Sequence, residues 1–180
     1  YLRGHMRASV VRDPLLRINT GDNTPAVLHI EIVPGNHIGI TVVPKGFGSE
    51  NMSAVRMLSP SDGEEGVRRF VLETVERAGA NPCPPIVVGL GIGGTFEQVT
   101  LLAKQALLRP IGQRSPLPHI AALETSLLEG INRLGIGPAG YGGSVTALGL
   151  AIEIAPTHIA GLPVALNMSC HATRHATAVL

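Results

Sequence analysis

The chain has 180 residues, enough for one domain with a real core, and 44% of them are apolar but only 3% aromatic, with no Trp. Its core must therefore be built from Val, Ile, Leu and Ala. A net charge of +1, from 14 basic and 13 acidic residues, gives no electrostatic case for nucleic acid. No apolar run approaches the ~18 residues of a membrane span. Two cysteines do not make a disulfide framework. They fit a reducing, cytoplasmic setting, in which a cysteine is buried, metal-bound or catalytic.

Residues 1–16 are mixed basic and apolar, with Pro14 as a break and Arg3, Arg7, Arg12 and Arg17 within a short span. Arginine is the side chain whose planar fork matches a carboxylate bidentately. A dense turn cluster follows at residues 19–25. Then VLHIEIVPGNHIGITVV alternates: Val27, His29, Glu31 and Val33 face one way, Leu28, Ile30 and Ile32 the other. With its Pro-Gly-Asn turn, this predicts a β-hairpin over residues 27–43. The segment Lys45 to Asn51 is glycine-rich and reads as a flexible loop or as a backbone nest for an anion.

Residues 59–79 predict a helix capped by Ser59, with Pro60 in its first turn and Val67, Phe70, Val71, Thr74 and Val75 on its core face. Cys83 lies between prolines before the run Ile86-Val87-Val88, a short buried strand. Gly89, Gly91, Gly93 and Gly94 then read as a tight turn. Thr95 with Gln98 reads as a capping box opening a helix that Pro110 stops, with Val99, Leu102, Ala103 and Ala106 on one face. A third helix is expected over 119–134, facing the core with Ala122, Leu123, Leu127, Ile131 and Leu134. A glycine-rich loop (135–143) leads to a strand over 145–154. A last strand, 162–168, ends at Ser169-Cys170-His171. The pattern is α/β or α+β: one domain over residues 1–180, a mixed sheet with a β-hairpin, flanked by helices.

Three constellations could carry chemistry. Gly89, Gly91 and Gly94 match G-x-G-x-x-G between a strand and a helix. A dinucleotide site also needs a second parallel strand and an acid about 20 residues on, and no acid lies between Glu97 and Glu124. Cys83, Cys170, His171 and His175 would make a tetrahedral zinc set, but their spacing lacks the close pairs that zinc sites use. His158, in a loop between two strands, is suited to proton transfer near neutral pH.

Taken together, MRASVVRDPL, NTGDNTPA, KGFGSENMS, NPCPPIVVGLGIGGTFE, LGIGPAGYGG and LPVALNMSCHATRH resemble the alpha part of the class I, iron–sulfur-dependent fumarate hydratases and L(+)-tartrate dehydratases. The resemblance implies a hydro-lyase acting on a small dicarboxylate at a 4Fe–4S cluster held by three cysteines. It puts Cys83 and Cys170 on two of those ligands, Arg7 and Gly48 on the substrate, and His158 in the active site as a proton-handling residue. On that reading Cys83, Cys170 and His158 face one cleft. The motif of the family's first cysteine, of CQDTG type, is not in this sequence, which implies a fragment lacking an N-terminal segment. The chain alone should then be inactive and hold no complete cluster. The resemblance also implies a beta subunit or C-terminal part as partner, in a dimer of alpha-beta units. Fumarate hydration to malate is the first expectation, L(+)-tartrate dehydration to oxaloacetate the second. A zinc- or partner-binding module is the alternative of another class.

Overall fold

A computed structural model describes residues 7–180. The chain divides into two compact units, Tyr1–Ile38 and Gly39–Leu180. Arg3 lies outside the described residues.

Among the described residues, the first unit is held by turns rather than by a core. Strands β1 (Val11–Asp13) and β2 (Ile18–Asn19) form a short antiparallel hairpin. Asp13 makes the turn by accepting the Leu15 and Leu16 amides on Oδ1, at 2.9 and 2.7 Å. Asn23 is buried and knots the unit together. Its Oδ1 accepts the Ser9 amide at 2.6 Å, and its Nδ2 donates to the Arg7 carbonyl at 3.0 Å. The turn cluster at 19–25 thus grips the backbone that carries Arg7.

The hairpin expected over 27–43 does not form. Among the described residues, 27–33 pair with no strand, and they are exposed. Only Gly39–Val42 becomes a strand, β3, and its partner is β8 (Ala176–Val179) at the other end of the chain. Alternation shows that a segment is extended, but the partner strand decides whether it pairs. The hairpin of this fold is β1–β2.

In the second unit, the one-turn helix α1 (Phe47–Glu50) precedes strand β4 (Ala54–Leu58). Helix α2 (Gly63–Ala78) follows a 3₁₀ turn at Pro60–Asp62, where Ser59 and Asp62 form a capping box. Then come β5 (Ile86–Gly93), α3 (Phe96–Ala106), α4 (Pro118–Arg133), β6 (Ala147–Ala155) and β7 (Leu162–Cys170). The main sheet has the order β4-β7-β5-β6; β5 and β6 are parallel, and β7 is antiparallel to both β5 and β4.

The sheet lies between two helical layers. Phe70 and Val71 of α2 and Leu127 and Ile131 of α4 bury against Val88, Leu90, Ile152, Leu166 and Met168 on one face. The α2 face is the one its 3.6-residue periodicity gives. Ala122 of α4 is exposed, and Glu124 takes the buried place beside Leu123.

Helix α3 packs on the other face, and here the glycines acquire their reason. The expected tight turn is instead strand: Gly89 and Gly91 lie inside β5. A Cβ on Gly89 would run into the Ala103 carbonyl oxygen, and one on Gly91 into that of Val99. The glycines let the helix sit directly on the strand. They are used up in packing, so they are no phosphate loop. Only Gly93 and Gly94, with φ of +88° and +73°, make the turn. Thr95 is the N-cap residue of α3 by backbone only, without a side-chain cap bond.

Candidate active site at the cysteine end of the sheet

Strand register fixes which motifs meet. Cys170, the last residue of β7, pairs with Ile86, the first of β5. Cys83 is three residues before Ile86. The two cysteine segments therefore lie at the same end of the sheet. Cys83 is exposed and Cys170 half-buried, both as free thiols. Cys83 sits at φ 59°, in the left-handed region that a non-glycine residue rarely adopts. Its amide donates to the Ala80 carbonyl at 3.0 Å, so the turn is locally fixed.

Two more motifs come to this end. A Cβ on Gly48 would lie 4.0 Å from the Asn81 carbonyl oxygen, so KGFGS abuts the Cys83 turn. The glycine-rich loop packs on the same turn: the Ala139 amide donates to the Pro84 carbonyl at 2.8 Å, and a Cβ on Gly140 would collide with Ala80. Lys45-to-Asn51 is thus not a loose loop but contains a helical turn in a charged network. Glu50 accepts from Lys45 at 2.7 Å and from Lys104 at 2.5 Å, and Asn167 Nδ2 donates to it at 2.9 Å. Burial would raise the Glu50 carboxyl, but its bonds from Lys104, Lys45 and Asn167 outweigh that and hold it at about 2. Burial pushes the Lys45 ammonium down, against the pull of Glu50 and a smaller one from Cys170.

His158 is not at this end. It lies between the end of β6 and the start of β7, exposed, and its Nδ1 accepts the Ala160 amide at 3.2 Å. Its neighbour Thr157 donates to the Gly94 carbonyl at 3.0 Å, which fixes this turn at the opposite end of the sheet. The nine residues of β7 separate Leu162 from Cys170, about 27 Å at the usual rise per residue. A single copy of the chain does not form the shared cleft expected for His158 and the cysteines. Arg7 is exposed in the first unit, where its Nε donates to Ser9 Oγ at 3.2 Å.

Among the described residues, no three or more His, Cys, Asp and Glu gather as a metal-holding group. The four-ligand zinc set of Cys83, Cys170, His171 and His175 is therefore not assembled. Two thiols at one sheet end, one exposed and one half-buried, are of the residue type that holds an iron–sulfur cluster. No helix among the described residues is long and apolar enough to cross a membrane.

A family model described as fumarate hydratase (fumerase) matches residues 1–179. The chain belongs to the fumarate hydratase family. It is 52% identical over 176 residues to a Methanocaldococcus jannaschii protein provisionally named L(+)-tartrate dehydratase subunit alpha; the match covers 95% of this chain and 61% of that one. It is 42% identical over 160 residues to the L(+)-tartrate dehydratase subunit alpha of Escherichia coli strain K12, covering 88% of this chain and 52% of that one. The chain spans between half and two thirds of the length of these relatives.

Within this fumarate hydratase fold, sequence reasoning did not reach the Glu50–Lys45–Lys104–Asn167 network. Glu50 and Asn167 are 117 residues apart, and no local pattern joins the members. It also did not reach Glu124, although an acid on an apolar helical stripe was the available signal.

Proposed function

We propose that the chain is the cysteine-bearing part of an iron–sulfur hydro-lyase that adds water to fumarate, giving malate, and reverses that step. The observation that carries this reading is the meeting of Gly48, Cys83 and Cys170 at one end of the sheet. Cys83 and Cys170 would hold two irons of a 4Fe–4S cluster. When bound, such a cluster supplies an open iron as Lewis acid toward the substrate hydroxyl.

The residues of the chain bind and orient. Dehydration removes a weakly acidic C–H proton and expels hydroxide, so the dicarboxylate must be held still while both bonds break. Backbone amides around Gly48 serve one carboxylate. Arg7 serves as a bidentate carboxylate ligand. His158 handles a proton; because it lies at the far end of the sheet, we assign it to a site completed by a second copy. A beta subunit or C-terminal part supplies the rest. The chain alone, with two cysteines, should hold no stable cluster.

The relatives' names favour a second substrate, L(+)-tartrate, dehydrated to oxaloacetate. Both substrates are short dicarboxylates, and the same residues serve either. The test is anaerobic iron–sulfide loading of the subunit at its relatives' full length, with its partner, followed by assays on fumarate and L-tartrate. Turnover of one, lost with iron in Cys83→Ser and Cys170→Ser, is expected. An iron-loaded complex that converts neither overturns the reading. A stable one-to-one 4Fe–4S spectrum on this chain alone overturns the incomplete-ligand claim.

A further inference from the structure

The segment from Lys45 to Ser53 cannot hold its own shape. Its helix α1 is one turn long, far below the length that is stable unaided. One carboxylate anchors it. Glu50 Oε1 accepts from Lys104 Nζ of α3 at 2.5 Å, and Oε2 accepts from Lys45 Nζ at 2.7 Å and from Asn167 Nδ2 of β7 at 2.9 Å. Ser53 Oγ completes the clamp, accepting from Asn167 Nδ2 at 2.9 Å and from the Met168 amide at 3.2 Å. Asn167 is only 5% exposed, and its Oδ1 has no hydrogen-bond partner among the described residues. Its grip on the segment therefore runs through Nδ2 alone.

We propose that Glu50 is a positioning residue for the cysteine end: it fixes Lys45 and the backbone of Gly48 against the part of β7 that leads to Cys170. This rests on the reading of that end as a dicarboxylate site. Asn167 is three residues before Cys170 on β7, and Gly48 adjoins Asn81, two residues before Cys83. One carboxylate thus ties the segment to the strand carrying one cysteine, while the segment itself abuts the turn carrying the other. It also joins two ammonium groups, Lys45 and Lys104, that repel each other. Without it they lose their common counter-ion, and the one-turn helix has no other charged anchor among the described residues. Amides that met a substrate carboxylate in one geometry would then sample several. That weakens binding without touching the proton-transfer groups, so it should appear in KM rather than kcat.

The test uses Glu50→Gln and Glu50→Asp, with Arg133→Gln as a control at an exposed ion pair. Hydrogen exchange on this chain is expected to be about tenfold faster at residues 46–53 in Glu50→Gln, with β5 and α2 unchanged and Glu50→Asp partly restored. In the complete enzyme, KM for the dicarboxylate is expected to rise about tenfold while kcat changes less than about threefold. Unchanged exchange at 46–53 overturns the proposal, as does a fall in kcat at constant KM. If Glu50→Gln loses protection throughout, Glu50→Asp decides: faster exchange confined to 46–53 supports the proposal, and global loss overturns it. A wild-type enzyme that turns over neither fumarate nor L-tartrate sinks the hydro-lyase reading, while the exchange data still decide whether Glu50 holds the segment.

Discussion

Replacing Glu124 should be among the most damaging single changes in this chain. Its side chain is fully buried on α4. It accepts from Arg109 Nη1 at 2.5 Å, from the Ser115 amide at 2.9 Å and from the Ile152 amide at 2.9 Å. Arg109 in turn donates to the Ile152 carbonyl at 2.8 Å and pairs with Glu153 at 2.5 Å. Strand β6 is an edge of the main sheet, so Ile152 has no strand on that side. The Arg109–Glu124 pair takes the place of the absent strand and closes the edge. Glu124→Ala leaves two backbone N–H groups and a nearly buried guanidinium short of an acceptor. Breaking a buried pair costs about 3–5 kcal/mol, which already includes much of the orphaned amides. For a chain of this size that lowers Tm by roughly 6–20 °C. Glu124→Gln keeps an acceptor and should lose about half as much. The double change Glu124→Leu with Arg109→Met removes both charges and should cost less than the two single changes added. Urea unfolding of the four proteins measures this cycle. A Glu124→Ala variant within about 1 kcal/mol of wild type, or simple additivity, would refute the edge-closing argument.

Acid should weaken the Glu50 network through a defined window. Its carboxyl is held at about 2 against an ordinary 4.5, so its contribution is complete above 4.5 and is lost as pH falls toward 2. Allowing for partial exposure, that is on the order of 2 kcal/mol, and a wild-type minus Glu50→Gln stability difference that is flat from pH 5 to 2 would contradict it. Gly91→Ala should destabilise by about 1–3 kcal/mol through overpacking against α3, seen as a lower urea midpoint without a change of slope; an unchanged midpoint would show that α3 can move away freely. If His158 works in a second copy's site, mixing His158→Asn with Cys83→Ser subunits should recover about a quarter of wild-type activity, since half the dimers are mixed and each has one intact site. No recovery from mixed dimers would remove His158 from the reaction.

The elements legible in the sequence were those whose pattern is local. Helix α2 carries a cap, a first-turn proline and an apolar stripe, and all five residues that the stripe names are buried. Strands β6 and β7 are apolar runs bounded by turns, and they appear nearly where expected. What failed needed a distant partner. Residues 27–33 alternate as well as any strand, yet β3 pairs with the far C-terminal β8 and leaves them unpaired. Strand β4 has little alternation of its own and exists because β7 offers it an edge. The glycines of β5 look like a turn locally; only the presence of α3 on that face shows why a Cβ is excluded.

The candidate site was legible as residue types and not as places. Cys83 with its prolines, Gly48 in KGFGS and Cys170 at a strand end were each visible; one register pair, Ile86 with Cys170, brings the two cysteine segments together, and the approach of Gly48 to Asn81 adds the third. The same register carries His158 away. β7 runs from the His158 turn to Cys170, so a residue before it and a residue after it must lie at opposite ends of the sheet, however near they are in sequence. Twelve positions along the chain thus become the length of the sheet in space. A reaction that needs both a thiolate-held metal and this histidine therefore needs two copies of the fold, or it does not use this histidine. The strand topology leaves no third arrangement within one copy, which makes the subunit-mixing experiment decisive for the histidine whatever the substrate proves to be.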